Sequence, residues 1–456
     1  MPNDPIRHIV LLVMENRSFD HMLGGLAAAI PGLDGVNAQN PALNYDAGGR
    51  PYRQAPTTTR QFAYDPKHEH SDVVLQLQNQ NSGFVLDFEK AYPQSTEQDR
   101  QEIMNYFQAG FLPALHPLAG DFTVCDRWYC SVPGPTWPNR FFALSGTSMG
   151  QIVMPEGLSV QNLGMYFQQT QETIFDRLNQ AGRKWKVYYN DFPASWLLLR
   201  QLLPENVVHY HHIDDFFAQV RDTQGFPEFV LLEPKYFGED ENNDHPPHNV
   251  MKGEKFIADV YNALRSNPDL WNECLLMVFF DEHGGFYDHV APPGAVAPDD
   301  HQEEYAFDQL GVRVPALLIS PWVSRRVEHT QFDHTSLLKY LTEKWNLGPL
   351  GRRTAAATSI GAALLESAPR TDTVPFLRVP YTTLIPEHPE WERIDGSTLQ
   401  QSLAAFASQL QNHLEGMEPQ SDAVAARMSN IARRVSTGGL KLPLDLRSLG
   451  AGFRQR

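Results

Sequence analysis

Four short apolar runs punctuate the chain: Ile9-Val-Leu-Leu-Val-Met14, Phe229-Val-Leu-Leu232, Leu275-Leu-Met-Val-Phe-Phe280 and Ala316-Leu-Leu-Ile-Ser320. Each is brief, partly β-branched and apolar at successive positions, so neither alternating face suits water. Such runs predict central strands of a parallel sheet covered by helices on both sides. Between them lie helical patterns, Thr173-Ile-Phe-Asp-Arg-Leu-Asn-Gln-Ala-Gly182, which ends in a glycine C-cap, and Phe256-Ile-Ala-Asp-Val-Tyr-Asn-Ala-Leu264. The alternation predicts an α/β architecture. Residues 31–59, rich in Gly, Pro, Asn, Asp and Thr, read as a long surface excursion. From about Ala356 the alternation stops and helical runs follow at 399–414 and 423–435. The expected division is therefore a catalytic domain over 1–355 and a mainly helical C-terminal extension over 356–456.

The chain has 456 residues, 42% of them hydrophobic and 20% charged. That length can bury about three quarters of the unfolded surface without disulfide staples. Three cysteines, Cys125, Cys130 and Cys274, form neither a disulfide framework nor a paired zinc spacing. Thirty-seven Lys+Arg against 54 Asp+Glu leave a net charge of −17. This argues against a nucleic-acid backbone as partner, which demands a basic face, and against any diffuse pull towards anionic lipid. No apolar stretch reaches the ~20 residues a membrane span requires, so at most peripheral membrane contact is expected. The N-terminus has no basic n-region ahead of its apolar run. As written, the chain reads as cytoplasmic, or as secreted if it is a mature form.

The chemistry gathers at strand ends. The first strand runs into Glu15-Asn16, the second into Glu233 and the third into Asp281-Glu282. Carboxyl ends of parallel strands share one edge, where ligand crevices form. Any one of these acids reads equally as a helix cap or a solvated loop residue. Together they would repel unless a cation neutralises them or one holds a proton, and a hard divalent cation is the simpler solution. In Ser131-Val-Pro-Gly-Pro-Thr136-Trp-Pro-Asn-Arg140 the prolines fix the backbone and Pro138 suits a first helical turn. That would put the Thr136 hydroxyl at a helix N-terminus, where negative charge is favoured. Beside a divalent metal and Arg140, it is a candidate nucleophile for phosphorus; by itself it is a cap or turn residue.

Gly146-Thr-Ser148-Met-Gly150 competes, because it fits the G-x-S-x-G nucleophile elbow of a serine carboxylesterase with 140–144 as the preceding strand. The elbow needs a helix directly after the serine, whereas Gln151-Ile-Val-Met-Pro155 offers β-branched residues and a proline. Histidines are the third element: His68 and His70, His245 and His248, His283 and His289, and His334, mostly in polar loops. Several histidines able to reach one rim suit phosphate contacts, a leaving-group acid or ligands to a second metal.

Glu15-Asn-Arg-Ser-Phe-Asp-His-Met-Leu-Gly24, Gly134-Pro-Thr-Trp-Pro-Asn-Arg140 and Asp281-Glu-His-Gly-Gly-Phe-Tyr-Asp-His-Val290 resemble the signature blocks of a phosphoesterase family. It contains bacterial phospholipases C, plant non-specific phospholipases C and some acid phosphatases, within the alkaline-phosphatase-like superfamily. The resemblance runs from about residue 5 to 345. Asp65-Pro-Lys-His68, Asp244-His-Pro246 and Phe332-Asp-His-Thr-Ser336 are similar to lesser blocks. The resemblance implies an alkaline-phosphatase-like, mostly parallel sheet flanked by helices. It also implies a metal held by Glu15, Asn16, Thr136, Asp281 and Glu282, with Thr136 as the metal-bound nucleophile. One oxygen-ligated ion, Ca²⁺, Mn²⁺ or Mg²⁺, is expected ahead of zinc. His68 and His245 fall where the family places histidines that hold phosphoryl oxygens or assist the leaving group. Asn139, Arg140, His248 and His334 are the expected substrate contacts. The expected activity is that of a metal-dependent phosphoric-ester hydrolase on a phospholipid or a small phosphate ester. A phosphomonoesterase on the same fold is the alternative.

Overall fold

Seven consecutive buried residues, His8–Met14, make the first strand, β1, of an eight-stranded sheet. A computed structural model describes residues 4–154, 170–238, 240–364, 366–391 and 397–415, with 428, 429, 431 and 432. The other strands of the sheet are β2 (Thr123–Cys125), β3 (Trp185–Tyr189), β4 (Tyr210–His212), β5 (Phe229–Glu233), β6 (Cys274–Phe280), β7 (Ala316–Ile319) and β8 (Arg326–Glu328). Their order is β8-β2-β7-β6-β1-β5-β3-β4. From β6 to β4 every neighbouring pair is parallel. β1 and β6 are buried along their whole length, which requires cover on both faces. The expected mostly parallel, helix-flanked sheet is therefore the observed one.

One expected parallel strand runs the other way. β7 is antiparallel to both β6 and β2, and no helix lies between β6 and β7 to carry a parallel crossover. Four strands had no counterpart among the apolar runs. β3, β4 and β8 carry polar residues such as Lys186, His211 and Arg326, and β2 is only three residues long. The 31–59 excursion holds an antiparallel hairpin, Leu43–Tyr45 with Pro51–Arg53, pinned by buried Asn44, Tyr52 and Gln54.

Four helices matter for the site: α1 (Thr136–Ser145), α2 (Val250–Arg265), α3 (Thr335–Lys344) and α4 (Thr398–Glu415). The helix expected from Thr173 runs Ile174–Gln180, closed at its start by a capping box between Thr173 and Asp176. In α4, Leu399, Leu403, Phe406 and Leu410 recur at helical spacing and join the same apolar core as β1. The Phe406 ring meets Phe192 at 6.1 Å. Of the expected helical run at 423–435, all but four residues lie outside the described residues.

The core also buries one fully enclosed arginine. Arg313 donates from Nε to Asp288 Oδ1 at 2.8 Å, from Nη2 to Asp20 Oδ1 at 3.1 Å, and from Nη1 to the carbonyls of Asp34 and Asp126. It thereby ties the segment after β1 to the segment after β6. His289 completes the network against Asp20 and Asp34. Burial opposes its charge, but these carboxylates outweigh burial and hold the imidazolium up to about 10. Arg313→Met would strand two buried carboxylates, so we expect a loss of about 3–5 kcal/mol in urea denaturation. A loss below about 1 kcal/mol would mean the network does not hold these segments together.

Candidate active site

Strand register brings the first two acids together. Met14 pairs with Phe280, so Glu15 and Asp281 leave adjacent strands at the same level, and Asp281 N–H donates to the Met14 carbonyl at 3.0 Å. Asn16 then turns through the left-handed region at φ +55°, which asparagine tolerates. Gly284 and Gly285 follow Asp281-Glu282 at φ +60° and +73°. A Cβ on Gly284 would lie 2.0 Å from the Asn16 carbonyl, and one on Gly285 would lie 2.7 Å from Pro66. The double glycine thus lets three distant segments close over one point. Glu233 does not join them. Leu232 pairs with Leu12, so Glu233 sits two residues below Glu15 and accepts from Ser195 N–H at 2.8 Å.

Arg140 neutralises the pair. It is the fifth residue of α1, and its guanidinium reaches both Glu15 Oε1 and, at 3.0 Å, Asp281 Oδ2. Its charge is reinforced by the surrounding Glu15, Asp281 and Glu233. Thr136 stands one helical turn earlier on the same face. The Asn139 amide donates to the carbonyls of Val132, Gly134 and Pro135 and accepts from Val132 N–H. Its polar atoms are therefore spent on shaping the loop that presents Thr136. Burial and Asp281 push the Glu15 carboxyl well up; burial raises Asp281 to about 6 against the pull of Arg140. Among the described residues, the buried oxygens of this edge that take part in no hydrogen bond include Glu15 Oε2, Asn16 Oδ1, Thr136 Oγ1 and Glu282 Oε1.

The histidines divide into two groups. His68 Nε2 lies 3.1 Å from Asn16 Nδ2 and 3.8 Å from Glu282 Oε1, and its Nδ1 faces the Pro66 carbonyl at 2.7 Å. Burial works against its charge, but Glu282 and Asp65 outweigh it and raise it to about 9. His245 packs edge-on to His68 with ring centroids 6.2 Å apart, and its Nε2 is 3.6 Å from Asp65 Oδ1. His248 Nδ1 stands 3.0 Å from Glu241 Oε2. His334 is enclosed, with Nε2 donating to the Asp281 carbonyl at 2.7 Å and Nδ1 accepting from Trp128 Nε1 at 3.1 Å. Burial lowers it to about 4, so it stays neutral.

The esterase geometry is not present. Residues 140–144, expected there as a strand, lie within α1, and Gly146 is that helix's left-handed C-cap. Ser148 Oγ donates to the Gln151 carbonyl at 2.6 Å within a turn.

Two groups among the described residues could hold a metal through His and carboxylate atoms alone: Asp65, His68 and His245, and Asp20, Asp288 and His289. Arg313 already supplies the counter-charge in the second. Sequence reasoning gave no role to Asp65, although it opens one of the quoted blocks. It also passed over Tyr236 and Asn243, whose hydroxyl and Nδ2 are buried and unpaired. The Tyr236 ring carries the Arg140 guanidinium at 5.7 Å, and the Asn243 carbonyl accepts from Glu15 N–H at 2.8 Å.

The model of the Phosphoesterase family matches residues 6–348. Non-specific phospholipase C3 of Arabidopsis thaliana is 33% identical over 438 residues, spanning 86% of this chain and 78% of its own. Phospholipase C B of Mycobacterium tuberculosis is 29% identical over 84% of this chain and 82% of its own. Among solved structures, a phosphonate monoester hydrolase of Agrobacterium radiobacter aligns at 10% identity with a TM-score of 0.36, over 81% of this chain and 79% of its own. A protein in the alkaline phosphatase superfamily from Vibrio parahaemolyticus aligns at 13% identity and 0.31, over 55% and 65%.

The family match stops short of α4, yet α4 reaches the site. Gln400 Nε2 donates to Glu241 Oε2 at 2.7 Å and to the Tyr236 carbonyl at 2.9 Å, behind His248 and the ring under Arg140. Gln400→Leu removes the amide from a buried carboxylate, so a loss of about 1–3 kcal/mol is expected. Denaturant titration measures it, and an unchanged midpoint would show that α4 does not brace Glu241.

Proposed function

The chain belongs to the phosphoesterase family and is a phospholipase C-like hydrolase of phosphoric esters; from that premise we propose that it cleaves phospholipids to diacylglycerol and a phosphorylated head group, with Thr136 as nucleophile. The observation that carries the residue assignment is the set of unpaired buried oxygens on Glu15, Asn16, Thr136 and Glu282. Buried polar atoms without a partner are costly, and an oxygen-only set matches one hard divalent ion, Ca²⁺, Mn²⁺ or Mg²⁺, better than Zn²⁺. These four residues and Asp281 would hold it. When bound, such an ion lowers the pKa of a ligated hydroxyl and shares phosphoryl charge.

The chain's own groups do the rest. Thr136 Oγ1, at the N-terminus of α1 and with its proton given up to solvent, attacks phosphorus in line while the bond to the diacylglycerol oxygen breaks, and the resulting threonine phosphodiester, which keeps the head group, is cleaved by water. The departing alkoxide takes a proton from His68 or His245, the two rings that face this edge. Arg140 pairs with both Glu15 and Asp281 and holds them correctly spaced, and His248 contacts the substrate from the Glu241 side. Asn139 and His334 position the Thr136 loop and the Asp281 backbone. Their polar atoms are already committed, so we assign them no substrate contact.

Two outcomes test this. Chelation should abolish turnover on phospholipid and re-addition of the divalent ion should restore it; full activity at zero metal content would overturn the metal assignment. Thr136→Ala should lower kcat by about 10³ or more, whereas Thr136→Ser keeps the hydroxyl and a substantial fraction of the rate. Acid quenching followed by mass spectrometry should find the head group's phosphoryl ester, phosphorylcholine when phosphatidylcholine is the substrate, on the Thr136 peptide. A water-attack mechanism would leave that peptide unmodified, and a preference for monoesters over diesters would favour the phosphatase alternative.

A further inference from the structure

One surface strap departs from the polar character expected of loops. Residues 374–388 run antiparallel along α2, from its C-terminal end to its start. Tyr261 Oη donates to the Val374 carbonyl at 2.6 Å, Asn262 exchanges two hydrogen bonds with Leu377, and Asn249 donates to the Thr383 carbonyl at 2.8 Å. The strap ends on Arg60 and Gln61, which hold Thr383, Glu387 and His388. It is thus fastened by polar bonds at both ends and in the middle. Leu377 and Leu384 of the strap pack on the core, but three of its large apolar side chains point away from the protein: Phe376 is 58% exposed, Tyr381 77% and Ile385 52%. Among the described residues these are three of the eight exposed large hydrophobics, and they fall within ten positions of one another. Single exposed apolar residues need no explanation, but a cluster held out on an anchored strap does.

The surroundings say what would cover it. Tyr381, Leu384, Ile385 and Pro386 form one wall of a groove of about 490 Å³ whose other wall carries Asp240, Asn242, Lys252 and Lys255. Asp240 and Asn242 flank Glu241, the partner of His248, and Asn242 precedes Asn243, the partner of Glu15 N–H. The groove therefore borders the candidate active site. Lys252, Lys255 with its partner Asp259, and Asp240 with its partner Lys235 set charges of both signs beside the Tyr381 ring, a rim that complements the alternating charges of a zwitterionic surface. Tyrosine is a side chain suited to a membrane–water boundary. A net charge of −17 weighs against strongly anionic membranes as the surface met.

We propose that the 374–388 strap is the face on which the enzyme docks to a zwitterionic phospholipid surface, with Phe376, Tyr381 and Ile385 entering the interfacial layer. The proposal rests on the phospholipid reading above, and its test separates the two. Tyr381→Ser with Ile385→Ser alters only exposed side chains, so the fold should hold, as circular dichroism and the melting temperature would verify. Binding to phosphatidylcholine vesicles by co-sedimentation should fall about tenfold or more, and turnover on those vesicles should fall with it. Turnover on a water-soluble aryl phosphodiester, or on monomeric short-chain phosphatidylcholine, should be unchanged. Vesicle binding and vesicle turnover equal to those of the parent would overturn the proposal. Self-association of the parent in light scattering, lost in the double variant while vesicle binding persists, would also overturn it and assign the face to a second copy. Failure of the parent to hydrolyse even monomeric phospholipid would instead sink the substrate reading, whatever the vesicles show.

Discussion

The structure depends on gathering three carboxyl groups in one dry corner. Glu15, Asp281 and Glu282 are fully enclosed at the end of β1 and β6, where ionised groups are costly unless paired. Arg140 bridges two of them, yet burial and Asp281 push the Glu15 carboxyl well up, so one guanidinium is not enough for all three. His68 is the chain's partial answer to the third, since Glu282 and Asp65 sustain its charge against burial. A neutral His68 would accept from Asn16 Nδ2 and leave Asn16 Oδ1 turned to the same corner as Glu15 Oε2. A corner short of positive charge, with several unpaired oxygens, is what a divalent ion balances. Because Arg140 and Thr136 share one face of α1, the helix that supplies the counter-charge also fixes the hydroxyl relative to the acids.

Much of this corner was legible in the residues. The apolar runs gave β1, β5, β6 and β7, and acids directly after apolar strands located the edge. Register was not legible, and it decides which acids meet. Glu233 follows its strand as Asp281 follows β6, but β5 pairs with β1 two residues lower, so Glu233 turns to Ser195. Strand direction failed for a related reason: an apolar run looks alike in either direction, and only the helix-free connection reverses β7. Strands such as β4 and β8 escaped because sheet edges tolerate polar residues.

The parts of the site that sequence reasoning missed lie on elements with no motif of their own. Gln400 occupies one position of an amphipathic helix whose neighbours are alanine, leucine and phenylalanine, and its amide matters only because Leu399 and Leu403 seat α4 on the core beside Tyr236 and Glu241. Glu241 likewise belongs to a polar stretch in which any acid could be a surface residue. Its burial against His248 follows from the fold around α2, which no local pattern encodes.

A motif residue can serve the reaction in two ways, and hydrogen-bond accounting separates them. Asn139 and His334 stand within signature-like blocks, yet each polar atom of their side chains is engaged by neighbouring protein groups. A group so committed would have to break native bonds to meet a ligand, and a buried group stripped of its partner loses about 1–3 kcal/mol. Thr136 Oγ1 and Asn16 Oδ1 face no such cost, being buried and unengaged. The Tyr236 hydroxyl and Asn243 Nδ2 share that condition, beside Arg140 and Glu15. What sets these two apart from other buried unpaired groups is their place beside Arg140 and Glu15, which makes them candidates for substrate contact from the segment between β5 and α2, the segment that also lends Asp240 and Asn242 to the groove under the strap.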